Sequence, residues 1–388
     1  MKRDVVIISG ARTPIGRFMG TLKDFTSNQL GALVIKEAVA RAGIDGGLVQ
    51  EVIMGSIIQT EPRGNPAREA VLEAGLPIEV TGFTVNKNCG SGLKAFNLAA
   101  REIADGDAEV MVAGGMESMS RAPFLLRTAR FGYRMGHAPL DDFLMDVLEG
   151  MGLTAENVAE RFNISREDQD LFAAQSQRKA LEAIEAGRFG EEIVPVAVPQ
   201  RRGDPVLFKQ DEGPRPGTTS ETLAKLRPAF KKDGVVTAGN SCTINDGAAA
   251  LVLMSARKAE ELGKEPFARV VSWASAGVEP EVMGIGPVPA TRLALEKAGL
   301  GLDDIDVVEL NEAFAAQSLA VIRELGMDLE KVNPNGGAIA LGHPVGATGA
   351  VLMTKMIYEL KRRGGRYGLV TLCIGGGQGI ATIVENLA

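Results

Sequence analysis

Cys89, His343, Cys373 and Asn311 mark the four places in this sequence where residue type and surroundings could do chemistry. Cys89 lies in Asn88-Cys89-Gly90-Ser91-Gly92, between an apolar, β-rich run, Gly82-Phe83-Thr84-Val85, and a helix-like run from Leu93 to Ala104. A thiol just ahead of a helix start meets unpaired backbone N–H groups and the positive end of the helix dipole, and both favour the thiolate. The small residues after it leave the sulfur uncovered and exceed what packing alone requires. Cys89 is therefore a candidate acyl-accepting nucleophile; the competing reading is a buried structural cysteine, the common fate of a free thiol. His343 sits in a glycine-dense stretch, Asn335-Gly336-Gly337 to Gly346-Ala347-Thr348-Gly349, ahead of a helix expected over residues 350–360. Glycines on both sides would open the ring to a ligand, whereas a lone histidine is otherwise a packing residue. The stretch lacks both the GKS/T ending and the GxGxxG spacing, so it is a poor nucleotide loop. Cys373 is delivered by a strand into Gly375-Gly376-Gly377-Gln378-Gly379, a turn whose N–H groups are suited to an oxyanion. Asn311 follows another strand, in Glu309-Leu310-Asn311-Glu312-Ala313-Phe314, where a simple helix cap is the alternative.

The composition narrows the surroundings of these groups. The chain has 388 residues, a formal net charge of −7 and a hydrophobic fraction of 45%. An acidic balance argues against nucleic acid as a partner, which would need a basic face. Three cysteines, Cys89, Cys242 and Cys373, with no CxxC pair, make neither a disulfide framework nor a zinc ribbon. With only His137 and His343 to offer imidazole, a metal site is not expected. The opening apolar run, Val5 to Gly10, is too short for a signal segment, and no run reaches the length of a membrane span. No retention or peroxisomal address closes the chain, so a cytoplasmic location is expected.

The elements that would position the four groups alternate between strand and helix. A strand over residues 5–9, a helix over 28–42, a strand over 51–55, a helix over 66–74, the Cys89 strand–turn–helix and a strand over 108–115 fill the first part. From 116 to 245 the pattern loosens, with many prolines and charges and with amphipathic helices near 154–161 and 166–186, the second opened by a capping box at Ser165 and Asp168. This reads as a large insertion over the core. The last part returns to alternation and echoes the first. Ala38-Val39-Ala40-Arg41-Ala42-Gly43 is matched by Ala294-Leu295-Glu296-Lys297-Ala298-Gly299, Val85-Asn86-Lys87-Asn88 by Val332-Asn333-Pro334-Asn335, and the strand ending Gly114-Gly115 by the one ending Gly375-Gly376. Three echoes in one order predict an internal duplication, two α/β halves with a site at their junction.

Taken together, Asn88-Cys89-Gly90-Ser91-Gly92, Thr237-Ala238-Gly239-Asn240, Asn245-Asp246-Gly247-Ala248-Ala249, Asn311-Glu312-Ala313-Phe314, Gly336 to Pro344 and Cys373-Ile374-Gly375-Gly376-Gly377 resemble the thiolases, the acyl-CoA C-acyltransferases. The resemblance implies an α/β fold of five layers, α-β-α-β-α, from two duplicated halves with mixed sheets plus an inserted loop domain. The expected division is 1–118 with 246–253 for the first half, 119–245 for the insertion and 254–388 for the second half. It further implies that Cys89 takes an acyl group from CoA while His343 accepts its proton. Cys373 removes the α-proton of a second acyl-CoA, Asn311 holds a water on the enolate oxygen, and the N–H of Gly375 joins that of Cys89 at the oxyanion. CoA and acyl contacts are implied for Met151, Arg215, Thr222, Phe230, Ala238, Cys242 and Phe314, with no cofactor beyond CoA as substrate. Cys242 departs from the serine common among biosynthetic members. Gly150 stands before Met151 where short-chain members commonly carry histidine, which leaves room for a longer acyl chain. A homodimer or homotetramer is implied, with Arg127, Arg130 and Arg134 in the inserted segment. His137 is expected to be an exposed loop residue. A ketoacyl carrier-protein synthase, or a non-catalytic CoA- or lipid-binding protein on the same fold, is the alternative.

Overall fold

The apolar run after Asp4 forms β1 (Val5–Arg12), buried along its whole length. The computed structural model describes residues 3–60 and 64–388. Helix α1 (Ser27–Ala42) opens on a reciprocal cap between Thr26 and Gln29 and stops at Gly43, which takes the left-handed φ of 60°. β2 (Glu51–Gly55), α2 (Pro66–Glu73), β3 (Thr81–Val85), α3 (Ser91–Asp105) and β4 (Val110–Ser118) follow. The chain then leaves for the inserted segment, whose main helices are α4 (Met151–Arg161) and α5 (Arg166–Glu185). Ser165 caps α5 by accepting the N–H of Asp168 at 3.0 Å, while the Asp168 carboxylate pairs with Arg323. The chain returns as β5 (Asn245–Ser255), an Ala/Leu/Val strand buried at every residue.

The second half repeats the plan with β6 (Ala268–Gly277), α6 (Pro287–Ala298), β7 (Ile305–Leu310), α7 (Ala315–Leu325), α8 (Thr348–Arg363), β8 (Tyr367–Ile374) and β9 (Gln378–Asn386). α8 is longer than the 350–360 expected from sequence. Its last turn, Lys361-Arg362-Arg363, places cations at the negative end of the helix dipole.

The strands run in the order β7-β8-β9-β6-β1-β5-β4-β2-β3, with Gly16–Arg17 as a short tenth strand on β5. In the first half β2 is parallel to β3 and β4, and β4-β5-β1 is antiparallel. In the second half β7 is parallel to β8, and β8-β9-β6 is antiparallel. The two mixed sheets expected of the halves are joined edge to edge through β1 and β6 at Val6–Arg269 and Ile7–Ala268.

The counterpart of β3 is reduced to a single bridge between Val308 and Val332. Asn333, at φ 44°, ends the extended run there. Its side-chain amide stands in for the missing strand, accepting from the N–H of Leu310 at 2.9 Å and donating to its carbonyl at 2.8 Å.

Three apolar cores separate the layers. One joins α1 and α2 to the outer face of the first sheet. A central one packs α3 and α8 between the two groups of strands. The third joins α6, α7 and residues of α4 and α5 to the outer face of the second. This is the α-β-α-β-α arrangement, with the starts of α3 and α8 side by side in the middle layer. No helix among the described residues is long and apolar enough to cross a membrane.

The end of β1 anchors the inserted segment through a buried cation that the sequence reading did not single out. Arg12 bonds Glu192 at 2.7 Å and, through two nitrogens, Asp211 at 2.8 and 3.0 Å. Asp211 also accepts the N–H of Ile15 at 2.7 Å. Breaking a buried pair is far more costly than never having built it. Asp211→Ala is expected to lower stability by about 3–5 kcal/mol, read from urea unfolding followed by circular dichroism. A loss below about 1 kcal/mol, the value of an exposed pair, would mean that the cluster does not anchor the segment.

Candidate active site

Cys89 lies in the turn between β3 and α3. Asn88 takes a left-handed φ of 45°, a conformation that asparagine tolerates better than most residues. Ser91 closes the turn by donating to the Asn88 carbonyl at 2.6 Å and accepting the Lys87 N–H at 2.8 Å. The Asn88 amide donates to the Gly375 carbonyl at 3.0 Å and so fixes the turn against the end of β8. The small residues after Cys89 prove to be packing requirements, contrary to the sequence reading. A Cβ at Gly90 would lie 2.5 Å from the Ile374 side chain, and one at Gly92 would lie 2.9 Å from the Ala350 nitrogen.

The expected thiolate at the helix start is also overturned. Burial pushes the Cys89 thiol up to about 11, against the N–H groups of Gly375 and of Cys89 itself, which pull the other way. At rest Cys89 is a neutral thiol and needs a base.

His343 is held in a defined tautomer. Its backbone N–H donates to Asn245 at 2.9 Å, and its segment bridges Ile244. The ring Nδ1 lies 2.6 Å from the Thr348 hydroxyl, which itself donates to the Pro344 carbonyl at 2.9 Å. Since that hydroxyl has one proton and uses it on Pro344, Nδ1 must carry the proton it shares with Thr348. Nε2 is then the unprotonated nitrogen. It faces the Asn311 amide nitrogen at 3.5 Å. Burial lowers the imidazole to about 4, so it is neutral and able to accept a proton over the ordinary pH range.

Asn311 does not cap a helix: α7 begins at Ala315, with Phe314 at its cap position. Asn311 is fully buried, its N–H donates to Thr371 at 3.0 Å, and its side-chain oxygen has no hydrogen-bond partner among the described residues. The next residue, Glu312, ties three segments together. Its carboxylate accepts from Ser176 at 2.6 Å, Asn333 at 2.8 Å and the Ile339 N–H at 3.2 Å. Cys373 ends β8 just before the glycine turn. Burial, then the neighbouring Cys89 and Cys242, push its thiol well above the usual range; burial, then Cys89 and Glu312, raise Cys242 to about 12.

Cys89, Cys242, Cys373, His343, Met151, Phe314 and Gly375 line one cavity of ≈ 190 Å³. Its walls differ at the two thiols. Cys89 packs against a cluster of Ile57, Leu144, Val147, Leu148 and Val345. Cys373 belongs to another, with Met283, Ala313, Phe314 and Met151.

Four residues expected near CoA do not line the cavity. Arg215, Thr222, Phe230 and Ala238 are exposed on the inserted segment. Phe230, 45% exposed, stands edge-on to Phe314 at 6.1 Å and so borders the cavity from outside. His137 is exposed and away from the cavity. The sequence reading missed Thr348, Glu312 and Asn245 as positioning groups. A hydroxyl five residues after His343, at a helix start, was the one local signal available.

Comparisons with known proteins agree with this geometry. The thiolase N-terminal domain family matches residues 5–257, and the thiolase C-terminal domain family matches residues 264–386. An acetyl-CoA acetyltransferase of Pseudomonas aeruginosa is 56% identical over 386 residues, covering 98% of each chain. The crystal structure of Bacillus anthracis acetyl-CoA acetyltransferase superposes with a TM-score of 0.98 at 49% identity, covering 100% of this chain and 99% of that one. Human mitochondrial 3-ketoacyl-CoA thiolase in complex with CoA gives 0.96 at 44% identity, covering 100% of this chain and 98% of that one. A carrier-protein synthase is not favoured by these matches. With both halves matched along their length and the fold shared throughout, the chain belongs to the thiolase family of acyltransferases.

Proposed function

We propose that Cys89 and Cys373 divide between them the two steps of a reversible Claisen condensation, two acyl-CoA molecules giving a 3-ketoacyl-CoA and free CoA. The observation that carries this reading is the opening of both thiols and the unprotonated His343 Nε2 onto one cavity. In the first step the Cys89 proton passes to His343 Nε2 and the sulfur attacks the thioester carbonyl. The N–H groups of Cys89 and Gly375 hold the oxyanion, a contribution worth about 10²–10³ in rate per donor. Collapse releases the CoA thiolate, which takes the proton from His343 and leaves acyl-Cys89. In the second step Cys373 removes an α-proton from the incoming acyl-CoA. Burial makes its thiolate scarce but strongly basic, which suits a weak carbon acid. His343 and a water on Asn311 hold the enolate oxygen. The α-carbon then attacks acyl-Cys89, whose sulfur leaves and takes up the proton that Cys373 removed. Thiolysis of a 3-ketoacyl-CoA by CoA is the same sequence reversed.

Several finer assignments belong to the same proposal. Residues 1–118 with 246–253 and residues 254–388 form the two halves, and 119–245 the domain that receives CoA. Arg215 meets the nucleotide end, Phe230 and Met151 line the pantetheine and acyl path, Cys242 lines the pocket, and Thr222, Ala238 and Phe314 are further substrate contacts. The human relative solved with CoA supports a CoA site on this fold. No group beyond CoA is assigned. A cytoplasmic homodimer or homotetramer is the assembly that the family resemblance supports. The apolar wall of Ile57, Val147 and Leu148, with Gly150 in place of histidine, supports acyl chains longer than acetyl.

Three outcomes follow. Cys373→Ser is expected to form acyl-Cys89 from acetyl-CoA, seen by intact-protein mass spectrometry, while condensation and thiolysis are lost; failure to acylate would contradict the division of labour. Thr348→Val leaves the Nδ1 proton without an acceptor and should lower kcat/KM by about 10–100-fold, the equivalent of an orphaned buried donor. An unchanged value would show that the hydroxyl does not set the tautomer. Thiolysis of 3-ketoacyl-CoA substrates of graded length should be at least as fast with longer chains as with acetoacetyl-CoA; a sharp fall with length would refute the wider acyl pocket.

A further inference from the structure

Glu117, near the end of β4, is a fully buried carboxylate that no step above uses. Its side chain points into the central layer, the same side as Ala113 and Met111 of that core. One oxygen accepts the Ile58 N–H at 2.9 Å and the Ser56 hydroxyl at 3.4 Å. The other accepts the Ile57 N–H at 3.0 Å and the Gly346 N–H at 2.8 Å. No cation bonds it among the described residues. Lys355 of α8 is taken by Glu309 and the Gly336 carbonyl, and Lys94 of α3 stands toward Lys87. Asp246, on the neighbouring strand, is bonded to Ser120. Among the described residues the Cys89 thiol is the titratable group that its charge opposes, and His343 lies three residues before the Gly346 N–H that it holds. The 56–58 loop carries none.

The two loops joined by Glu117 are both parts of the site. Ile57 and Val345 line the cavity beside Cys89. Gly346 lies between His343 and Thr348, the residue that fixes the imidazole tautomer. A carboxylate with four donors and no counter-charge among the described residues is an anion placed for its reach across two backbones. We infer that Glu117 is a positioning residue: its ionised carboxylate clamps the His343 loop of the second half onto the Cys89 wall of the first, and so sets the distance across which the proton moves. This rests on the reading of His343 as the base for Cys89.

The clamp has a pH signature that a purely structural glutamate lacks. Burial pushes Glu117 up to about 7. Protonation turns one oxygen into a donor, which then opposes a backbone N–H. The clamp is therefore closed above neutrality and released below it. His343, held near 4 by burial, gives no titration in that range.

The test compares wild type, Glu117→Gln, which keeps the length and loses the charge, and Glu117→Asp, which keeps the charge and loses the reach. Rates are normalised to the sites that acylate in a burst with acetyl-CoA, so that misfolded protein does not count. Both variants are expected to lose about 10²-fold in kcat per acylating site, the cost of misplacing a reacting pair by about an ångström, with KM unchanged. The wild-type acid limb near neutrality should be absent from Glu117→Gln. Unchanged kcat per site, or the same acid limb in both, overturns the proposal.

If neither variant folds, hydrogen exchange on the wild type decides. Corrected for intrinsic rates, peptides covering 56–58 and 344–348 should lose protection together as the pH falls through neutrality. Separate or absent responses overturn the clamp. Failure of the underlying reading looks different: iodoacetamide would then not label Cys89 of the wild type in preference to the other thiols, whatever residue 117 is.

Discussion

Two chain segments approach each other backbone against backbone, and the site depends on that approach. The Gly346 carbonyl is seated among Gly55, Gly92 and Gly115. A Cβ at Gly55 would lie 2.8 Å from it and one at Gly92 3.0 Å, and one at Gly115 would lie closer still. Gly92 also faces the Ala350 nitrogen, and Gly349 faces Leu93. The first turns of α3 and α8 therefore touch with no side chain between them. Each helix follows a turn that carries a reactive group, Cys89 ahead of α3 and His343 ahead of α8. Contact of the helix starts is what brings the two copies of a strand–turn–helix unit into one site, with the proposed nucleophile from one copy and the proposed base from the other.

Glycine-rich loops that pack this closely lose much conformational freedom on folding, and apolar contacts alone do not hold a loop in register. The structure holds them with buried polar groups. Glu312 gathers Ser176, Asn333 and Ile339 under the His343 loop, Asn245 fixes the backbone of His343, and Lys355 joins Glu309 to the Gly336 carbonyl at 2.7 and 2.9 Å. Asn240 connects the Thr237 turn to Asp170 of α5 at 2.9 Å, and its carbonyl accepts the N–H of Ala315 at the start of α7. Burying such groups is costly unless their hydrogen bonds are met. Their concentration around one cavity is the mark of a site that needs fixed loops rather than of a core optimised for stability.

Much of this was legible in the chain, for identifiable reasons. Strand and helix alternation appears as local periodicity, so β1, α1, α3 and β4 could be placed within a few residues. The duplication was visible because copies keep the same order. Cys89, Cys373 and His343 stood out because few residues of their kind exist to choose from. What the sequence hid lies in contacts between distant segments. Gly90 and Gly92 looked superfluous because Ile374 and Ala350, which crowd them, are remote in the chain. Asn311 looked like a cap because a cap is a local pattern, and its meeting with His343 is not. Thr348 and Glu117 are ordinary residues until the loops they hold are seen together. The Cys89 charge state was misjudged for a related reason, since a helix start is local and burial is not.

The magnitudes explain why burial wins at Cys89. A shift from the usual 9.0 to about 11 opposes the thiolate by about 2.7 kcal/mol. A helix end returns about 0.3–1 kcal/mol in most settings. Cys89 therefore stays protonated until a base and a carbonyl arrive together, which protects an accessible thiol from adventitious chemistry. The same electrostatics order the two steps. The charge of a Cys89 thiolate would raise the cost of ionising Cys373 in the shared cavity, since Cys89 is the first cause after burial that pushes Cys373 up. Acylation converts that sulfur into a neutral thioester and removes the opposition. Cys373 thus becomes easier to ionise after Cys89 has been loaded, when an acceptor for the carbanion is in place, and harder to ionise before, when a carbanion would have nothing to attack.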